Sequence, residues 1–402
     1  MTISEFLENF IRKESLFKNK SVLQSAYFPD EVLHREEQIQ QLAKILAPSL
    51  RLERPSNIFI YGKTGTGKTL TVQYTLKEIN KVAQKEQIPL RTIYINCKLK
   101  KVADTEYRLI AEIAKHLGKS IPPTGLPTDE VYNIFYKALN HEKKIIILVL
   151  DEIDQLVKKT GDELIYNLTR INSELKESQL AIIGISNDVM FADNLDPRVK
   201  SSLSEEEIVF PSYNAIQIQD ILKKRCEQAV KDGVIDDGVI AKCAAYAARE
   251  HGDARRALEL IRVAIEIAER KGLSKITLKE LDESEEKIER DRVLDIINTQ
   301  PKQFQLVLYS ILYIASKDSK KKEPIFTGDI YTLYKDLCNK INLRPLTQRR
   351  VSDVISEFDL LGIINAKVIS KGRYGRTREI NIITSDEMNS KIMSLLEASL
   401  SI

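Results

Sequence analysis

Residues 57–76, NIFIYGKTGTGKTLTVQYTL, constrain the fold of this chain more than any other stretch. The apolar run at 58–61 has the continuity of a strand covered on both faces, and LTVQYTLKEINKVAQ after it has helical spacing. Between them, positions 62–69 read Gly-x-x-x-x-Gly-Lys-Thr, with glycines at 62, 65 and 67. Glycine freedom lets successive backbone N–H groups turn inward, and a helix starting near Lys68 aims its positive end at the same point. Such a loop cradles phosphate. Lys68 is placed to reach the β- and γ-phosphates of a nucleoside triphosphate, and the Thr69 hydroxyl to sit on Mg²⁺. Strand, loop and helix in this order predict an α/β architecture with a parallel sheet.

Two further apolar runs supply chemistry. KIIILVLDEID, residues 144–154, ends in adjacent carboxylates. Strand alternation turns them apart, Asp151 toward the Mg²⁺ shell and Glu152 toward an attacking water. The loop alone implies binding; the acidic pair implies hydrolysis. QLAIIGISND, residues 179–188, ends in Ser186, Asn187 and Asp188. Open α/β sheets place chemistry at the carboxyl ends of their strands, so the Asn187 amide is a candidate to hold water or a γ-phosphate, beside the plainer reading of a turn residue. The strand candidates are 57–61, 91–97, 144–150, 179–185 and 206–210.

At 402 residues, 43% hydrophobic and 30% charged, the chain has room for two or three domains. No apolar stretch reaches the length of a membrane span, and the start, MTISEFLENFIRKE, lacks the pattern of a signal peptide, so a cytoplasmic protein with no membrane partner is expected. Cys97, Cys226, Cys243 and Cys338 lie far apart in no CxxC spacing and read as small apolar residues, with neither a disulfide framework nor a zinc site indicated. A net charge of +3 is too small to imply a nucleic-acid partner, so that argument rests on where charge sits.

It sits near the C-terminus. Beyond residue 303 the pattern runs helix, helix, helix and two strands, the order of a winged helix-turn-helix. Between 340 and 380 there are nine Lys or Arg residues against four acids. The predicted wing tip, SKGRYGRTRE, sets Lys371, Arg373, Tyr374, Gly375 and Arg376 where they can enter a groove and neutralise phosphates. Arg349 and Arg350 begin the predicted recognition helix, whose N-terminus adds its own attraction for phosphate. A protein-binding winged helix is the plainer alternative.

GKTGTGKT, LVLDEID, an Asn after the next strand, NLDPRVKSSL and GDARRAL, in that order over about residues 55 to 260, resemble the AAA+ ATPases. HREEQIQQL, PPTGLPTDEVY and SSLSEEEIVFPSY narrow the resemblance to the archaeal replication initiators, relatives of the origin recognition complex and cell division control protein 6, over nearly the whole chain. The resemblance implies an AAA+ P-loop core with a five-stranded parallel sheet in 1–210, including an initiator-specific insertion near 98–128. A helical lid in 211–289 and a DNA-binding winged helix in 290–402 would follow.

It further implies that Gly62, Lys63, Thr64, Gly65, Thr66, Gly67, Lys68, Thr69, Leu70 and Tyr213 hold ATP or ADP, with Mg²⁺ at Thr69 and Asp151. Asn187 matches sensor 1 and Arg255 sensor 2. Arg255 and Arg256 lie about 100° apart on a helix, so only one can face the nucleotide. Arg198 is the best match to an arginine finger acting on a neighbouring subunit, with Lys200 a rival, while Ser201 and Ser202 stand where the family usually has a further arginine. HREEQIQQLAKIL would be an amphipathic helix beside the adenine. In the insertion, Lys98, Lys101 and Arg108 are either contacts to the DNA minor groove or solvated surface. The implied partners are origin double-stranded DNA, other initiator paralogues and the replicative helicase, in a nucleoid-associated protein that hydrolyses ATP slowly and keeps ADP. A hexameric branch-migration motor and a nucleotide-bound scaffold are the alternative functions.

Overall fold

In the computed structural model, residues 14–98, 104–122, 124–317, 325–370 and 376–401 are described. The chain divides into two compact units, residues 1–281 and 282–402. In the first, strands β1 (Ile58–Tyr61), β2 (Leu90–Asn96), β3 (Ile145–Asp151), β4 (Gln179–Ser186) and β5 (Glu206–Val209) form one parallel sheet in the order β2-β3-β4-β1-β5. Register pairs Tyr61 with Ser186 and Asn96 with Asp151, so the carboxyl ends lie along one edge.

The period of two explains why the strands read as unbroken apolar runs. Ile58 and Ile60 of β1 and Ile145, Ile147 and Val149 of β3 pack on one face with Leu42 and Leu46 of α1 (Glu36–Leu46) and Val72 and Leu76 of α2 (Lys68–Lys85). Phe59, Ile146, Leu148 and Leu150 point the other way. That face is covered by α3 (Glu106–His116), α4 (Thr128–Leu139), α5 (Ile153–Thr160), α6 (Glu163–Arg170) and α7 (Pro197–Leu203), through residues such as Leu109, Phe135, Leu156, Leu164 and Leu203. Every residue of β3 is buried, and each such aliphatic side chain contributes roughly 1.5–3 kcal/mol by leaving water. The first unit ends in lid helices α8 (Ala215–Ala229), α9 (Val239–Arg249) and α10 (Ala254–Lys271). An Asn214–Gln217 capping box starts α8, and Gly272 in the left-handed region stops α10. Helix α11 (Leu278–Thr299) follows.

The second unit contains α12 (Lys302–Lys317), β6 (Ile325–Phe326), α13 (Thr327–Lys340), α14 (Gln348–Leu360), β7 (Ile364–Ser370), β8 (Arg376–Ile382) and α15 (Asp386–Leu400). Its sheet is antiparallel in the order β6-β8-β7, and Leu306, Ile330, Tyr334, Ile355, Phe358, Ile380 and Ile392 share its core. The expected three helices and hairpin are present. Two elements were not foreseen: β6 is too short to leave a pattern, and α15, capped by the Ser385 side chain, packs Met388, Ile392 and Leu396 into the core. Among the described residues no helix is long and apolar enough to cross a membrane, and all four cysteines are buried free thiols.

Candidate functional site

A cavity of about 640 Å³ opens in the first unit at the carboxyl edge of the sheet. Residues 65–70 of the glycine loop, residues 25–33, Asp151, Glu152, Asn187, Tyr213 and the lid residues Arg225 and Arg255 line it. The earlier part of the loop stands back. Lys63 and Thr64 are exposed, and the carbonyls of Gly62 and Lys63 each accept a hydrogen bond from Lys68 Nζ at 2.7 Å. Burial lowers the Lys68 pKa to about 8, with Asp151 opposing the fall and Arg255 adding to it. Gly65 and Gly67 have φ of +70° and +86°, and a Cβ on Gly65 would lie 1.7 Å from Asp253 Oδ1. Here glycine is required both by conformation and by the closeness of the lid.

Asp151 is buried, and both of its carboxylate oxygens accept hydrogen bonds. Oδ2 accepts from Thr69 Oγ1 at 2.8 Å and from the Tyr94 hydroxyl at 2.6 Å, and Oδ1 accepts from Glu152 N at 2.9 Å. Burial first, then the carboxylate charge, pushes the Tyr94 hydroxyl well above its ordinary range, so it stays a donor. Strand alternation is not what separates the two acids. β3 ends at Asp151, and Glu152 adopts φ +56°, ψ +45°, the left-handed region, as it caps α5. For a non-glycine residue this conformation costs about 1–2 kcal/mol, a strain stored at the one position read as the general base. Asn187 follows β4 and lines the cavity, while the neighbouring Ser186 hydroxyl is turned to Asp154 Oδ1 at 3.3 Å.

At the start of α10, Asp253 accepts from the backbone N–H groups of Arg255 and Arg256. Arg255 faces the cavity, and Arg256 turns away to Glu250, Nε to Oε2 at 3.2 Å. Two participants escaped sequence reading. Tyr94 lies two residues before the end of β2, so it shares a face with Asn96, and both line the cavity. Arg35, within HREEQ, is 2% exposed and donates from Nε to Thr66 O at 2.9 Å and from Nη2 to Pro211 O at 2.7 Å, its guanidinium 3.7 Å from the Tyr213 ring centroid. The sequence carried no local signal for it, because its partners are 31 and 176 residues away.

Comparison with known proteins identifies the whole arrangement. Family models match in succession: the AAA domain over residues 51–187, the Cdc6 AAA+ ATPase-type lid domain over 219–286, and the CDC6 C-terminal winged helix domain over 295–391. The ORC1-type DNA replication protein of Thermococcus onnurineus is 52% identical over 384 residues, which span 94% of this chain and 91% of that protein. That of Pyrococcus furiosus is 53% identical over 94% of this chain and 90% of its own length. The chain belongs to the ORC1/Cdc6 family of DNA replication proteins. A solved relative, the Aeropyrum pernix ORC1 protein in complex with DNA, superposes with a TM-score of 0.79 at 43% identity, covering 95% of this chain and 97% of that one.

In this ORC1/Cdc6 chain, the described candidates Arg198, Lys200, Lys98 and Arg108 of the first unit are not among the residues that line the cavity. Arg198 is exposed on α7, paired with Asp196 at 3.1 Å and 5.5 Å from the Tyr166 ring centroid, and Lys200 pairs with Asp193 at 2.7 Å. Lys98 is exposed, with its ammonium 3.7 Å from Glu152 Oε2, beside the acidic pair. Arg108 pairs with Asp104 at 3.4 Å. In the winged helix, the Thr347 side chain caps α14 by accepting from Arg350 N. Arg350 reaches Asp353 at 3.8 Å and Glu357 at 4.0 Å, whereas Arg349 is exposed and makes no ion pair with a described residue. Lys101, Lys371, Arg373, Tyr374 and Gly375 lie outside the described residues, and Arg376 begins β8.

Proposed function

We propose that this chain is an ATP-regulated replication initiator that binds origin double-stranded DNA and helps load the replicative helicase, in company with other initiator paralogues. The observation that carries the enzymatic half is the Thr69–Asp151–Glu152 cluster at the mouth of a phosphate loop. Lys68 binds the β- and γ-phosphates, the loop N–H groups of 65–69 wrap the diphosphate, and Asn187 and Arg255 approach the γ-phosphate from sheet and lid. Thr69 Oγ1 and Asp151 Oδ2 offer adjacent hard oxygen donors, the set that suits Mg²⁺ when it is shared with substrate phosphates. Mg²⁺ held there supplies charge neutralisation of the phosphate oxygens. Glu152 takes a proton from water as its oxygen attacks the γ-phosphorus and the bond to the β-phosphate oxygen breaks, leaving ADP and phosphate.

Hydrolysis in this reading is slow and serves as a switch, with ADP retained. Arg198 acts on the nucleotide of a neighbouring subunit, exchanging its Asp196 partner for phosphate. DNA is engaged by Arg349 and Arg350 at the start of α14, by Lys371, Arg373, Tyr374, Gly375 and Arg376 of the wing, and by Lys98, Lys101 and Arg108 of the insertion. The basic segment 340–380 and the DNA complex of the Aeropyrum pernix relative support this half. Glu152→Gln should bind ATP as wild type does and lose turnover by at least about a hundredfold. Equal turnover in both would remove Glu152 as the base. Footprinting on origin DNA with ADP and with ATP tests the other half, and protection no better than on random duplex would refute it.

A further inference from the structure

We propose that Arg225 is a specificity-determining residue of the nucleotide site, donating from Nη1 to a ring nitrogen of the nucleobase. The inference rests on the nucleotide-binding reading above. Arg225 projects from α8 of the lid into the same cavity and is 8% exposed. Its Cζ lies 4.5 Å from the Tyr27 ring centroid, and its buried Nη1 has no hydrogen-bond partner among the described residues. Burial is the leading influence on its titration and lowers its pKa, with the Tyr27 hydroxyl as the opposing group. No carboxylate of a described residue therefore explains why a guanidinium is kept there.

A buried charged donor without an acceptor is costly, and its usual explanation is a partner that arrives from outside the chain. The position narrows that partner. The phosphate end of the cavity is defined by Lys68, Thr69 and Asp151, and Arg255 stands there too. Arg225 stands instead with Tyr27 and with Ile221, one turn before it on α8, in a lining that also holds Phe28 and Leu33, apolar groups that would receive a flat heteroaromatic ring. A guanidinium offers donors and no acceptor, so it cannot pair with an exocyclic amino group and must meet a ring nitrogen or carbonyl oxygen. For an adenine nucleotide the available atoms are N1, N3 and N7. The Tyr27 ring, 4.5 Å from Cζ, limits the swing of the guanidinium and so narrows the direction in which Nη1 can donate.

The test is a calorimetric affinity series on the full chain with ADP, 1-deaza-ADP, 3-deaza-ADP, 7-deaza-ADP and 2′-deoxy-ADP, for wild type, Arg225→Met and Arg225→Lys. One deaza analogue should bind wild type about tenfold or more weaker than ADP, the worth of a hydrogen bond to a charged group, and should bind Arg225→Met as well as ADP does. Arg225→Lys keeps the stem and charge, and carries the same comparison if the methionine variant does not fold; its penalty for that analogue should be smaller than wild type's. Deaza penalties that are equal in wild type and variant overturn the assignment. So does an Arg225-dependent penalty confined to 2′-deoxy-ADP, which would put Nη1 on the ribose. Failure of wild type to bind ADP at all overturns the nucleotide reading itself, whereas normal ADP binding with no Arg225-dependent deaza effect overturns only this inference.

Discussion

Raising the pH should weaken nucleotide binding through a single residue, Lys68. Its ammonium is held by two neutral carbonyls, and burial brings its pKa down to about 8 despite the attraction of Asp151. Bound phosphates favour the charged form, so the pKa rises in the complex. Below the free-site value both states carry the proton and affinity is flat; above it, the nucleotide-free site must take up a proton to bind, and affinity falls about tenfold per pH unit. With a free-site pKa of about 8 and a bound-state value above about 10, ADP should bind about thirtyfold more weakly at about pH 9.5 than at about pH 7, close to 2 kcal/mol. Calorimetry in two buffers of different ionisation enthalpy should find about half a proton taken up at about pH 8, and Lys68→Met should abolish the uptake. An ADP affinity that stays level across this range, with no proton uptake, would refute the reasoning. Folding stability moves the opposite way. The unfolded lysine titrates near its model value of 10.5, so between about 8 and 10.5 the unfolded chain holds more protons, and the nucleotide-free protein gains stability as pH rises through that window.

Two other substitutions separate causes that the geometry keeps apart. Gly65→Ala and Gly238→Ala share a positive φ, +70° and +81°, but only at Gly65 would the added Cβ strike another group, Asp253, while at Gly238 it would meet no described atom within 4 Å. Both should lose about 1–2 kcal/mol to backbone strain, and Gly65→Ala about 1–3 kcal/mol more from overpacking and the displaced cap of α10; equal shifts in thermal unfolding would show that the Gly65–Asp253 contact does not matter. On duplex DNA, Arg349→Ala should lower the slope of log affinity against log salt by about one, and Arg350→Ala by less, because Arg350 is already shared with Asp353 and Glu357. Equal slopes for the two variants would contradict this.

What the sequence disclosed follows from where each element's partners lie. The parallel strands were legible because both faces are covered, which turns a period of two into a continuous apolar run such as IIILVL. The phosphate loop was legible because its requirements are local. Glu152 was found by composition, but its direction was not, since a left-handed residue rather than pleat alternation turns it. Tyr94 left a faint signal, a hydroxyl two residues from Asn96 on one strand face, inside a run that otherwise reads as apolar. Arg35 left none. It sits before a helix as any solvated arginine would, and only tertiary structure sets it against Thr66 and Pro211. Lys98 was legible only as part of a basic stretch; that its ammonium stands 3.7 Å from Glu152 Oε2 is set by the fold.

Arg35 and Asp253 together explain how a small loop can govern the lid. Gly65 O accepts from Ala254 N at 3.3 Å, beside the Asp253 cap, so the loop touches the first turn of α10 and the residue before Arg255. One position further, Thr66 O is fixed by Arg35, which also holds Pro211 O at the other end of the lid's entry. Adjacent loop residues are thus fastened to both ends of segment 211–254. Each bond to the buried guanidinium is worth about 1.5–3 kcal/mol, more than the roughly 1 kcal/mol that a bond-angle distortion of about 7° in the loop would store. In the mechanism proposed above, a loop that tightens around phosphate would take with it the start of α10 and Arg255, the residue proposed to meet the γ-phosphate.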